Sequence, residues 1–281
     1  MIKMDAPNLL PGDVFAACIS RIRDPGLKLK MESIAHLVVA ASADFDTLAA
    51  QTRLHQFVRQ AIVGGVVTTA EMEGVYTQRM AKKSAPGRDA YDELFNSAPN
   101  GKCPLCGHRT VSTLDHHLPK AHYPVLAVVP LNLIPACGDC NKSKLAALPT
   151  SANEEALHPY YDNIDGDRWL FAEVVAGTPA ALRFRVQTPA NWSAVLADRV
   201  ALHFKTLGLG ALYSAESADE LLNIRGQLET LHAAGGAALV ETELLERASS
   251  CRMARMNGWR SAAFEAFADS AWFCDGGFSL H

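Results

Sequence analysis

The chain has 281 residues, 49% of them hydrophobic and 20% charged, which excludes a disordered chain and allows a sizeable core. Its net charge of −4 excludes a protein that wraps nucleic acid by bulk basicity. No uncharged apolar run reaches the ~18 residues of a membrane span, and the start MIKMDAPNLLPGD lacks a signal-peptide core, so a cytoplasmic protein with no membrane partner is expected.

Residues 12–97 read as helical. Residues 33–41 are apolar with a helical period, and Thr68-Thr69-Ala70-Glu71 has the pattern of a capping box opening a helix with Met72, Val75, Tyr76 and Met80. Ser84-Ala85-Pro86-Gly87 breaks that helix, and a shorter one follows with Tyr91, Leu94 and Phe95. Residues 100–160 read as irregular, with extended stretches at 109–114 and 131–136. Beyond them, residues 168–175 and 182–187 flank Gly177-Thr178-Pro179. There Leu182, Phe184 and Val186 alternate with Arg183, Arg185 and Gln187, as in a half-buried hairpin. Pro189 is read as opening a helix with Trp192, Val195, Leu196, Val200, Phe204 and Leu207 on one face. Ser217-Ala218-Asp219-Glu220 reads as a second capping box. Gly235-Gly236 and Asn257-Gly258 punctuate two more helices, the last carrying Phe264, Phe267 and Trp272.

The expected fold class is therefore α+β and mainly helical, in three parts: an N-terminal helical region 1–98, a central core 99–162, and a C-terminal β-hairpin and helical domain 163–281. Charge divides along the same lines. Residues 1–98 hold 11 basic and 11 acidic side chains, residues 99–145 five and two, and residues 146–281 ten and 17. A polyanion is expected to meet the basic centre.

Four of the seven cysteines form two pairs of equal spacing, Cys103-Pro-Leu-Cys106 and Cys137-Gly-Asp-Cys140. In a cytoplasmic chain two such pairs read as a tetrahedral structural Zn2+ site, because thiolates persist there and disulfides do not. Gly107 after the first pair and Gly138 inside the second are expected to give the knuckles backbone freedom. The pairs stand 30 residues apart, so something else is folded between them. Cys18, Cys251 and Cys274 are given no role.

That intervening segment, with its continuation, reads LDHHLPKAHYPVLAVVPLNLIPACGDCNKSK, residues 114–144. It resembles the HNH nucleases, whose ββα-metal core has a strand ending in Asp-His, a second strand bearing Asn, and a short helix. Asp115-His116 falls at the first position, Asn132 at the second and Asn141 at the third, with the cysteine pairs where cysteine-bearing members have theirs. The resemblance covers about residues 100–160 and implies a metal-dependent endonuclease acting on DNA. It also implies that Asn132 ties the loop and orients the base without ligating metal.

The residue types suit that chemistry. Cutting a phosphodiester needs a water nucleophile, a base, and positive charge on the phosphorane and leaving oxygen. His116 offers an imidazole that titrates near neutrality, so activity is expected to rise through the histidine range. Asp115 and Asn141 offer the oxygens that a hard Mg2+ or Mn2+ prefers. Zinc is expected to hold the short core rigid and fix Asn141, next to Cys140. Lys142 and Lys144 suit phosphate contacts. His122, in the loop, is a candidate substrate contact, and His158 a candidate to reach metal or scissile phosphate. His117 departs from a position usually apolar in the family and is a candidate replacement ligand. His36, His55, His108, His203, His232 and His281 read as structural or solvent-exposed.

The competing reading is a non-catalytic, zinc-stabilised nucleic-acid-binding subunit, against which the full Asp-His, Asn and Asn set speaks. The helical flanks suit a protein partner, such as an ATPase or sensor subunit, or self-association. HNH cores with such flanks occur in bacterial restriction, phage-defence and mobile-element proteins, which by analogy suggests an effector of a defence system.

Overall fold

A computed structural model describes residues 1–144 and 148–279; His281 lies outside them. Among the described residues the chain is mainly helical, with three two-stranded antiparallel sheets. It divides into two compact units, Met1–Asn163 and Ile164–His281.

In the first unit, α1 (Pro11–Ile19) starts on a proline and buries Val14, Phe15, Cys18 and Ile19 on one face. α2 (Pro25–Ser33) is capped by Asp24, whose carboxylate accepts from the Leu27 N–H at 2.7 Å. α3 (Ala35–Ala50) buries Val38, Ala41, Ser42, Phe45 and Ala49. The stretch Pro25–Ala50 is long and apolar enough by composition to cross a membrane. It is nevertheless two helices, interrupted at Ile34, whose apolar stripe lies in the core. A minimal hairpin of β1 (Ile62–Val63) and β2 (Val67–Thr68) leads into α4 (Thr69–Arg79). α4 opens on the expected capping box, Thr68 and Glu71 bonding each other's backbone N–H. α5 (Arg88–Asn96) follows the break at 84–87.

Next come β3 (Thr113–His116), β4 (Leu133–Ala136) and α6 (Gly138–Ser143). β3 starts four residues later than the extended stretch expected at 109–114, and includes Asp115 and His116. Its register sets Asp115 opposite Ile134 and His116 opposite Leu133. Residues 117–132, which join the strands, hold a run of buried side chains from Tyr123 to Pro130. Their two short 3-10 turns pack on α3 and α4. Leu126, Val128 and Val129 thereby join Phe15, Val38, Phe45 and Met72 in one hydrophobic core. The expected boundary at residue 98 thus falls inside a unit, because the helices before it and the loop after it bury each other.

In the second unit β5 (Leu170–Val175) pairs with β6 (Ala181–Val186), Leu182 and Phe184 buried and Arg183 and Arg185 exposed. α7 (Ala194–Thr206) starts at Ser193, not Pro189: the Ser193 hydroxyl accepts from the Leu196 N–H at 3.2 Å. α8 (Leu209–Ala254) is broken at Gly236, whose φ of 66° and ψ of −160° leave the helical region and suit only glycine. Its halves fold back on each other, Gln227 bonding Glu243 and Arg247 across the bend. The capping box expected at Ser217 is not formed. Ser217 lies inside α8 and its hydroxyl donates to the Ser214 carbonyl at 2.9 Å. α9 (Trp259–Ala268) carries Phe264 and Phe267, but Trp272 sits on a separate turn, α10 (Ala271–Cys274). Asn257 does more than punctuate: its buried amide accepts from the Trp169 N–H at 2.9 Å and donates to the Asp167 carbonyl at 2.9 Å.

Candidate metal centre and carboxylate–histidine site

The four paired cysteines converge. The sulfurs of Cys103, Cys106, Cys137 and Cys140 all lie within 4.8 Å of one another, and all four residues are buried. Such a cluster can bind a zinc ion; four thiolates this close would repel without a cation. The first knuckle is closed by the Gly107 N–H on the Cys103 carbonyl at 2.7 Å, with Gly107 at φ 66°. Gly138 needs no such freedom. It is the first residue of α6, and Cys137 caps that helix, its sulfur accepting from the Cys140 N–H at 3.4 Å. Arg109 and Asp139, 3.0 Å apart, tie the knuckles together.

Asp115 and His116 close β3 beside this cluster's helix. The Asp115 carboxylate is buried, and burial pushes its pKa up against the opposing charge of Lys144. The Lys144 ammonium lies 2.7 Å from Asp115 Oδ2 and 3.0 Å from the His116 carbonyl oxygen. Of the lysines expected at phosphates, Lys142 is exposed on α6, while Lys144 is bound to Asp115.

His116 Nε2 lies 2.9 Å from the Ala127 carbonyl oxygen. A carbonyl only accepts, so Nε2 carries the proton and the neutral ring keeps its lone pair on Nδ1. Burial first, and then the charges of Lys120 and Lys144, pull this histidine down to about 3. The expected titration through the histidine range is thereby corrected: in this environment His116 is neutral well below neutral pH. Tyr76 packs edge-on against the ring, centroids 4.4 Å apart.

Asn132 is fully buried and ties the loop at three points. Its Oδ1 accepts from the Leu118 N–H at 2.7 Å, and its Nδ2 donates to the carbonyls of Leu118 at 3.0 Å and Leu126 at 3.3 Å. Leu126 precedes the Ala127 carbonyl that holds His116, so the amide fixes the histidine's anchor. Asn141 is half-buried on α6, which packs on β3. It precedes Lys144 by three residues and so shares the side of the helix from which Lys144 reaches Asp115.

His117 and His158 belong to another neighbourhood. Their rings lie 4.2 Å apart between centroids, tilted by 38°, and both pack edge-on against Phe45 of α3. His158 Nε2 donates to the Leu131 carbonyl at 3.1 Å, and its Nδ1 accepts from the Tyr160 N–H at 3.2 Å. Both ring nitrogens are thus engaged inside the fold, a packing role in place of the expected contact with metal or phosphate. His122 is half-buried, and its backbone carbonyl accepts from the Gln60 N–H at 3.3 Å. Two neighbours of the site carried no expectation. Tyr76 was read only as a helix-face residue, and Lys120, 5.7 Å above its ring, only as part of the basic centre. The charges of Lys120 and Lys144 both act on the Asp115-His116 pair, and the basic residues of the central segment were the available signal.

No family model matches this chain, and no solved structure matches it. A curated relative, Protein ea31 of Escherichia phage lambda, is 35% identical over 176 residues, 61% of this chain. The chain spans 59% of that protein's length.

Proposed function

We propose that the first unit is a metal-dependent endonuclease of the HNH type, hydrolysing DNA phosphodiester bonds. The observation that carries this reading is the tethered neutral His116, with its lone pair on Nδ1, next to a buried carboxylate that already gathers a cation. His116 Nδ1 takes the proton from the attacking water, whose oxygen forms the new bond to phosphorus as the bond to the leaving sugar oxygen breaks. The leaving oxygen collects its proton from solvent. Asp115 and Asn141 offer oxygens for Mg2+ or Mn2+, and the convergence of Asp115 Oδ2 and the His116 carbonyl on one ammonium supports a cation at this place. When bound, such a cation supplies positive charge to the phosphorane and leaving oxygen. Asn132 keeps the histidine's anchor still, and exposed Lys142 suits a phosphate. Zinc at the four cysteines holds α6 against β3. From the likeness to a phage protein we infer a phage-borne or phage-facing setting in the cytoplasm, with restriction or anti-phage defence as one form and a protein partner on the helical flanks.

The Lys144–Asp115 pair also favours a second reading, a zinc-stabilised nucleic-acid-binding subunit in which Asp115 is a structural ion-pair partner. Incubating zinc-loaded protein with supercoiled plasmid and Mg2+ or Mn2+ separates the two. The first predicts cleavage that EDTA stops, with His116→Ala losing about 10²–10⁴-fold and His117→Ala near wild type if it folds. Binding without cleavage would favour the second.

A further inference from the structure

We propose that Lys144 is the resident counter-cation of the Asp115 site, and that a hard divalent cation enters only by expelling its ammonium. This deepens the endonuclease reading and rests on it.

The Lys144 ammonium is held by two oxygens of one strand end, Asp115 Oδ2 at 2.7 Å and the His116 carbonyl at 3.0 Å. The Lys144 and Asp115 side chains are 16% and 7% exposed, so water and salt screen this pair little. An ammonium and a hard divalent cation want the same partners, carboxylate and carbonyl oxygens. Both cannot occupy one carboxylate oxygen at that distance, and their charges repel. Asp115 Oδ2 therefore serves either Lys144 or the divalent cation.

The arrangement has a structural logic. A buried carboxylate without a partner is costly. Lys144 supplies that partner from within the chain, so the fold of the strand end does not depend on a second metal. Lysine suits the task better than arginine would, because its ammonium is a point charge on a flexible stem and its bond to a carboxylate is not bidentate. Once expelled, the ammonium remains on the turn that carries Asn141, where a phosphodiester oxygen can receive it. The site thus exchanges an internal cation for an external one, and frees a lysine for substrate in the same step.

The test is Mn2+ binding to the zinc-loaded full chain, read from the electron paramagnetic resonance signal of free Mn2+. Lys144→Met and Lys144→Gln should both bind Mn2+ more tightly than wild type, by about tenfold, the scale of losing one partly buried competing charge. Lys144→Arg keeps the charge and should bind no more tightly than wild type. Asp115→Asn should lose the binding. Zinc content and circular dichroism report whether each variant is folded, and the two neutral variants back each other. If a folded neutral variant binds Mn2+ no better than wild type while Asp115→Asn loses it, the role of Lys144 falls and the metal site stands. If Asp115→Asn binds Mn2+ as wild type does, the metal assignment itself falls.

Discussion

The two larger hairpins of this chain are built on opposite principles. β5 and β6 run six residues each around a short turn, and β6 alternates buried Leu182 and Phe184 with exposed Arg183 and Arg185. Burial and register agree there, and the hairpin packs under α8 and α9 of its own unit. β3 and β4 run four residues each, and β4 is buried at every position. Asp115 and His116 at the end of β3, and Asn132 in the turn just before β4, lie inside and not out, each with a specific partner. A hairpin that buries charge and amide where it could bury leucine gives up stability for geometry. So short a pair of strands, carrying that cost, needs an outside clamp, and the four cysteines stand at its end.

Removing the clamp should have the largest effect. Cys137 is both a sulfur of the cluster and the cap of α6. Serine is a good helix cap but a poor zinc ligand, so Cys137→Ser separates the two roles. We expect this variant to lose zinc and the protection of residues 99–143 from proteolysis, while residues 164–281, with their own core, stay resistant. Loss of zinc with unchanged protease resistance would show that the buried polar hairpin stands without metal, and full zinc occupancy would show that Cys137 is not a needed ligand.

Acid should distinguish the hairpins next. His116 is held down to about 3 by burial, whereas in an unfolded chain its ordinary value is about 6.5. A base whose folded pKa is lowered takes its proton first in the unfolded chain. Its share of the stability is whole above about pH 6.5 and is lost as pH falls toward about 3, with a limiting slope of about 1.4 kcal/mol per pH unit. Asp115, raised by burial, acts with the opposite sign above its ordinary value and offsets part of that slope. Thermal unfolding between about pH 5 and pH 7 should therefore show wild type losing stability faster than His116→Phe as pH falls. Equal slopes would mean that His116 is not held neutral.

How much of this was legible follows from how local each feature is. The cysteine set shows in its repeated spacing, and the Thr68–Glu71 box formed because a strand precedes it, so that the first N–H groups of α4 are free to be capped. The same four-residue pattern at Ser217 failed because α8 had begun at Leu209, leaving no free N–H groups to cap. Asn132 was read as a loop tie from resemblance alone, and its bonds to Leu118 and Leu126 are such a tie. The Lys144–Asp115 pair, 29 residues apart, was not legible, because nothing in spacing says which lysine meets which carboxylate. The run of residues 124–130 reads as part of an irregular segment. Burial against α3 and α4 is a tertiary fact that periodicity cannot report.

The smallest effect should come from the ion pair that looks most like the Asp115 pair on paper. Arg183 and Glu173 stand directly opposite in the β5–β6 register, 3.2 Å apart, as close to ideal cross-strand partners as the hairpin holds. Their side chains are 69% and 49% exposed, so water competes for both groups and salt screens what remains. Holding two long side chains in one geometry costs entropy that offsets much of the attraction. Arg183→Ala should therefore change the stability of the second unit by less than about 1 kcal/mol, and by less still in high salt, measured by urea unfolding. It should leave zinc and Mn2+ binding untouched. A larger loss would mean that Arg183 contributes through its methylene stem on the hairpin surface, which Arg183→Met would restore and a salt titration would leave unchanged.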